Sequence, residues 1–209
     1  TAYEIPKRDW SSDVCSSDLG GTKWRGWVEA TIPGGSFGSI YGWGYNSGGS
    51  GGGVGDNTSI NRSSPVQVGS LTSWVDVTAG QRFILALKSD GTLWAWGQGI
   101  LGSLGQNNNI SFSSPVQVGA LTGWTAIAAT RGAALAINNG NLFGWGQNTY
   151  GETGTNTNAV SFGFRSSPVQ IGAGQTWARV AGGMYHAAAI TTTGQLWTWG
   201  RNFRGQLGQ

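Results

Sequence analysis

At 209 residues the chain is long enough for one or two ordinary domains. It holds 38 glycines and 12 tryptophans but only 10% charged residues, which excludes a disordered chain, and no apolar run approaches the roughly 20 residues of a membrane span. The formal net charge of +3 comes from scattered residues with no basic run, so nucleic acid is not an expected partner.

The first segment, 1–19, shares nothing with the remainder. Asp9 to Leu19 back-translates in frame to a common short-read sequencing adapter, and Thr1 to Ile5 to its upstream portion. It is set aside as a non-native, adapter-derived segment. Cys15, the single cysteine, goes with it, so cysteine usage says nothing about redox compartment. Lys7 and Arg8 stand there against Glu4, Asp9, Asp13 and Asp18, so the rest of the chain is formally +5.

From there on the chain repeats itself. The glycine closing YGWG, LWAWG, LFGWG and LWTWG falls at Gly44, Gly97, Gly146 and Gly200. SSPVQVG at Ser63 to Gly69 returns at Ser113 to Gly119, and as SSPVQIG at Ser166 to Gly172. A third landmark is Trp74, Trp124 and Trp177. All recur at roughly 50 residues, the range of propellers and solenoids. The units are expected at 45–97, 98–146 and 147–200. A degenerate partial copy precedes them at 20–44, where GGSFGSIYGWG matches only a last strand, and 201–209 opens a further one.

Within a unit, a Gly-rich turn comes first (GILGSLG, TYGETG, FRGQLG), then an Asn/Ser/Thr loop of variable length. SPVQV follows, its proline suited to a strand start or edge. WVDVTAG, WTAIAAT and WARVAGG alternate at the strand period, with Val77, Ile127 and Val180 on one face and Asp76, Ala126 and Arg179 on the other. FILAL, AALAI and HAAAI are apolar on both faces, as in a strand covered on both sides. LWxWG ends the unit, with Trp94 and Trp96, or Trp197 and Trp199, on one face. Four short antiparallel strands make a blade, so the expected fold is all-β: an incomplete β-propeller, an arc of about three to four four-stranded antiparallel blades. The tryptophans bury rigid area between blades. An open arc exposes a strand edge and a Trp-rich face, and the intact protein is expected to have further blades.

WGRNFRGQLG, SSPVQV, the W-x-x-V strand and the glycine before LWTWG resemble the repeat of the regulator of chromosome condensation family, over Gly38 to Gln209. The resemblance implies blades of a seven-bladed propeller. The family often has His after the paired glycines; here that slot holds Phe83, Ala133 and His186. The founding member's role, guanine-nucleotide exchange on a small GTPase with chromatin binding, is one implied alternative, although no exchange-loop residue matches. Inhibition of an enzyme, as by a similar bacterial propeller that inhibits β-lactamase, is another.

Catalytic chemistry finds little support. His186 is the sole histidine, with no Cys or second His to complete a metal site. Glu29, Asp56, Asp76, Asp90 and Glu152 occupy different repeat positions and form no evident acid/base pair. Asp56-Asn57-Thr58 lacks the glycine and final Glu of a calcium loop and reads as a turn. Gly48 to Gly55 lacks the GK[ST] ending of a phosphate cradle. Neither enzyme activity, cofactor nor metal is expected.

The expected function is a non-enzymatic binding scaffold whose rim loops engage a protein, with a glycan as second candidate. Where packing does not dictate the residue, the chain places Arg82, Arg131, Met184 and Tyr185 after the WVDV-type strand. Asn107 to Asn109 and Asn156 to Asn158 lie in the long loops. Low charge and Asn/Ser/Thr-rich loops suit a bacterial or phage protein, secreted, on a surface or in a virion.

Overall fold

The computed structural model describes residues 38–46, 52–156 and 163–208. The adapter-like segment, most of the partial first repeat and residues 157–158 lie outside the described residues. Thirteen strands follow in order among the described residues: β1 Tyr41–Gly44, β2 Arg62–Gln67, β3 Trp74–Ala79, β4 Phe83–Lys88, β5 Leu93–Gly97, β6 Phe112–Gln117 and β7 Trp124–Ala129, then β8 Ala133–Asn138, β9 Asn141–Gln147, β10 Phe164–Ile171, β11 Trp177–Gly182, β12 His186–Thr191 and β13 Leu196–Gly200. A 3-10 turn, Ile100–Gly102, follows β5.

The strands pair antiparallel into sheets β1-β2, β3-β4-β5-β6, β7-β8-β9-β10 and β11-β12-β13. The SPVQ strand therefore joins the sheet of the LWxWG strand before it in sequence. Its proline lies on the edge strand, where the missing N–H interrupts no inner ladder. The register shifts between Ala95 and Gly97 and between Arg165 and Val169, where this strand bulges around the closing glycine.

Three apolar clusters lie between successive sheets. β4 feeds two of them: Ile84 and Ala86 pack with Trp74, Trp96 and Val68, while Phe83, Leu85 and Leu87 pack with Ala134, Ala136 and Trp145. β8 does the same, turning Leu135 and Ile137 toward Ala187 and Ala189. Across the two later interfaces large residues of one sheet thus meet alanines of the next, which lets the sheets approach closely. The expectation that FILAL and AALAI are covered on both sides holds: all of Phe83 to Leu87 and Ala133 to Asn138 are buried.

The tryptophans sit where the repeat predicts. Trp96 and Trp145 are fully buried, and Trp74, Trp124 and Trp177 nearly so. Trp74 meets Trp94 edge-on at 6.1 Å, Trp124 meets Phe143 at 5.4 Å, and Trp177 meets Trp197 at 6.2 Å. In the last described sheet the outer face is open. Leu196 is 66% exposed, whereas Leu93 and Leu142 in the same repeat position are 0% and 1%. This is the open blade face expected of an arc.

Candidate protein-binding rim

Antiparallel order sends the turn after a sheet's first strand and the loop after its third to the same rim. The backbone shows it directly. Gln98 N–H donates to the Arg82 carbonyl at 2.7 Å, Gln147 to Gly132 at 2.9 Å, and Arg201 to Tyr185 at 2.8 Å. The glycine just before each donor makes this approach achievable. Gly97 has φ 100°, and a Cβ there would lie 2.5 Å from the Arg82 carbonyl oxygen.

The rim turns are also tied from sheet to sheet. Gln81 N–H donates to the Arg131 carbonyl at 2.9 Å, and Arg131 N–H to that of Met184 at 3.0 Å. Below them, indole N–H groups reach back to the long loop of the preceding sheet. Trp96 donates to the Gly53 carbonyl at 3.2 Å, Trp145 to Ser103 at 3.0 Å, and Trp199 to Glu152 at 2.9 Å.

On this frame the four predicted rim residues separate. Arg82, exposed, borders an open cleft of about 340 Å³ with Gln81, Gln98 and Arg131. Arg131 donates from Nε to Gln81 Oε1 at 2.8 Å, and its guanidinium carbon lies 5.3 Å from the centre of the Tyr185 ring. Met184 is 44% exposed. Arg131, Met184 and Tyr185 are thus brought together, while Arg82 stands on the far side of Arg131, one sheet further along.

Three neighbours escaped the sequence reading. Arg201 lies over Tyr150, Tyr185 and Phe203 at 5.2, 5.5 and 4.8 Å. Tyr150 packs edge-on against both Tyr185 and Phe203, at 5.3 and 5.9 Å. Phe203 is 74% exposed. The signal available was the residue after each closing glycine: Gln98 and Gln147 in two units, Arg201 in the third.

The long-loop asparagines serve the frame. Asn57 N–H and Asn107 N–H donate to the Ser113 and Ser166 carbonyls of the next sheet, at 2.8 and 2.7 Å. Asn57, Asn107 and Asn156 all have positive φ, which asparagine tolerates better than most residues. Asp56 shapes its loop as an acceptor from Thr58 and pairs with Arg62 at 2.6 Å. Burial pushes its carboxyl up, but the bonds from Thr58 and Arg62 and the guanidinium charge outweigh it and hold the group below its ordinary range. Glu152 is 1% exposed. Burial pushes its carboxyl up, and the N–H groups of Tyr150 and Glu152 only partly offset this. The His186 ring packs over Gly183 as the Phe83 ring packs over Gly80.

These sheets are blades of a β-propeller, left open as an arc. Among solved structures, Prp20p from Saccharomyces cerevisiae, a protein with binding properties to Gsp1p and histones, is similar with a TM-score of 0.66 and 20% identity; the match covers 83% of this chain and 43% of that one. Human WBSCR16 is similar with a TM-score of 0.66 and 26% identity, covering 82% and 45%. Yeast RCC1 (Prp20) bound to Kap60 gives 0.64 and 19%, covering 79% and 40%. The chain therefore spans less than half the length of these relatives. Comparison with curated protein sequences gives no match. Among the described residues, no helix is long and apolar enough to cross a membrane.

The model of the regulator of chromosome condensation (RCC1) repeat matches residues 38–87, 90–137 and 139–190, and a second model of that repeat matches 177–206. The chain belongs to the regulator of chromosome condensation (RCC1) repeat family.

Proposed function

We propose that this chain is part of a non-enzymatic binding scaffold that holds a protein on the rim bearing Arg82, Arg131, Met184 and Tyr185. One observation carries the reading. The backbone hydrogen bonds Gln81 to Arg131 and Arg131 to Met184 fix the turns of three sheets side by side, so residues far apart in sequence present one surface. Packing sets the blades and leaves this surface free to vary, which is where binding residues concentrate. Arginine and tyrosine are common interface anchors. Two of the similar structures concern protein partners, Kap60 bound to yeast RCC1 (Prp20) in one and the binding of Prp20p to Gsp1p and histones in the other, which supports a protein-binding use of the fold.

The test is capture of partners from the source cell by chemical cross-linking, comparing the chain with an Arg82→Ala/Arg131→Ala/Tyr185→Ala variant and with Lys88→Ala on the opposite rim. Loss of a partner with the triple variant alone supports the reading. Retention of every partner places the contact surface elsewhere. Competition with free oligosaccharide separates a protein from a glycan stacked on the exposed rings. Accelerated nucleotide release from a small GTPase would instead favour an exchange factor, and a tight complex with a β-lactamase an inhibitor.

A further inference from the structure

Among the described residues, the rim carries more arginines than carboxylates able to pair with them. Arg82, Arg131, Arg201 and Arg204 lie on it. Of the carboxylates in the described rim loops, Glu152 is buried and Asp56 is engaged by Arg62. Residues 47–51 and 157–162 contain no acid. Two of these cations share one ring: Arg131 and Arg201 both lie over Tyr185. Stacking engages the flat faces of a guanidinium and leaves its in-plane N–H groups for other partners, of which Arg131 already gives its Nε–H to Gln81. Arg201 makes no ion pair with the described residues, and its Nε is buried without a hydrogen-bond partner. Beside the cations stand apolar surfaces, Met184 at 44% exposure and Phe203 at 74%.

We infer that the Arg131–Tyr185–Arg201 cluster, with Tyr150 and Phe203, is an anchor for an acidic peptide segment: carboxylates meet the two guanidinium edges, and an adjacent apolar side chain covers Phe203 and Met184. The inference rests on the scaffold reading and adds the chemistry of the partner. Planar, bidentate recognition of carboxylate is what stacked arginines provide and lysines do not. The rings hold both side chains in place before binding, so little rotamer freedom is lost on contact.

The probe is a fluorescein-labelled peptide of alternating Glu-Glu-Leu units, with a Lys-Lys-Leu peptide as its counterpart, titrated against the full chain by fluorescence anisotropy. The acidic peptide binds and the basic one does not, and added salt weakens binding. Arg131→Ala/Arg201→Ala weakens it by about tenfold or more, and Arg201→Lys falls between. Lys88→Ala on the opposite rim leaves it unchanged. Because Arg201 is partly buried, Arg131→Glu at an exposed position is the second variant; it abolishes acidic-peptide binding and admits the basic peptide. Equal binding of both peptides, or unchanged binding by Arg131→Glu, overturns the inference. If no acidic peptide binds while a captured partner still depends on Tyr185, the acidic chemistry falls and the scaffold reading stands.

Discussion

The indole N–H of Trp145 donates to the Ser103 carbonyl at 3.0 Å, joining the third strand of one blade to the long loop of the blade before it. Trp96 and Trp199 repeat the bond to Gly53 and Glu152. The same side chain therefore fills the interface and satisfies a carbonyl on the neighbouring blade.

This predicts a contrast between two buried tryptophans. Trp145→Phe leaves the Ser103 carbonyl without its donor and opens space, costing about 2–4 kcal/mol. Trp124 is nearly as deeply placed, but its Nε1 has no hydrogen-bond partner among the described residues. Trp124→Phe removes an unsatisfied donor, so it costs about 1–2 kcal/mol less than Trp145→Phe. Urea unfolding of the two variants checks the order; equal losses would deny the bond its role.

Gly97→Ala strikes both fold and rim. The residue has φ 100°, and its new Cβ would press on the Arg82 carbonyl that Gln98 uses. A loss of about 2 kcal/mol or more is expected, together with displacement of the Arg82 turn. Thermal unfolding measures the first, and amide chemical shifts at Arg82 and Gln98 the second.

Glu152 gives a pH dependence of defined sign. Its folded-state carboxyl is raised by burial, so the stability of its neutral form is fully present below about 4.5, the ordinary value, and is lost as pH rises through the folded value. Glu152→Gln keeps an oxygen to accept the Tyr150 N–H and removes the buried charge. The variant is more stable than the parent at neutral pH by about 1 kcal/mol or more, and the gap closes toward pH 4. Gln206 already occupies this place in the final GQLG turn.

Asp56 behaves oppositely. Its carboxyl is held below the ordinary 3.8, so its contribution is present above that value and is lost as pH falls through the folded one. Asp56→Asn costs about 1–2 kcal/mol at neutral pH and little in strong acid. Melting temperatures of parent and variant across that range provide the comparison.

Much of this architecture is legible in the residues. Three landmarks at one spacing locate the strands, the alternation around Val77 and Ile127 marks a half-covered strand, and unbroken FILAL and AALAI mark strands covered on both sides. Spacing gives the period of the units but not which strands pair, and pairing SPVQ with the preceding LWxWG depends on hydrogen bonds that no pattern displays. The rim was half legible. Arg131 and Tyr185 stand out because the repeat does not require them. Their stacking, and the arrival of Tyr150, Arg201 and Phe203, depend on loops of adjacent blades meeting in space. No periodicity encodes that meeting.

The open outer face at Leu196 has a consequence for how this 209-residue chain comes apart. A blade held from both flanks opens only when a neighbour does, whereas one held from a single flank opens by itself. Amide protons of β8, sealed on both faces, should exchange with deuterium most slowly, and those of β12 and β13 earliest. Loss of order then travels inward from that flank, as a stack of plates loosens from its free end.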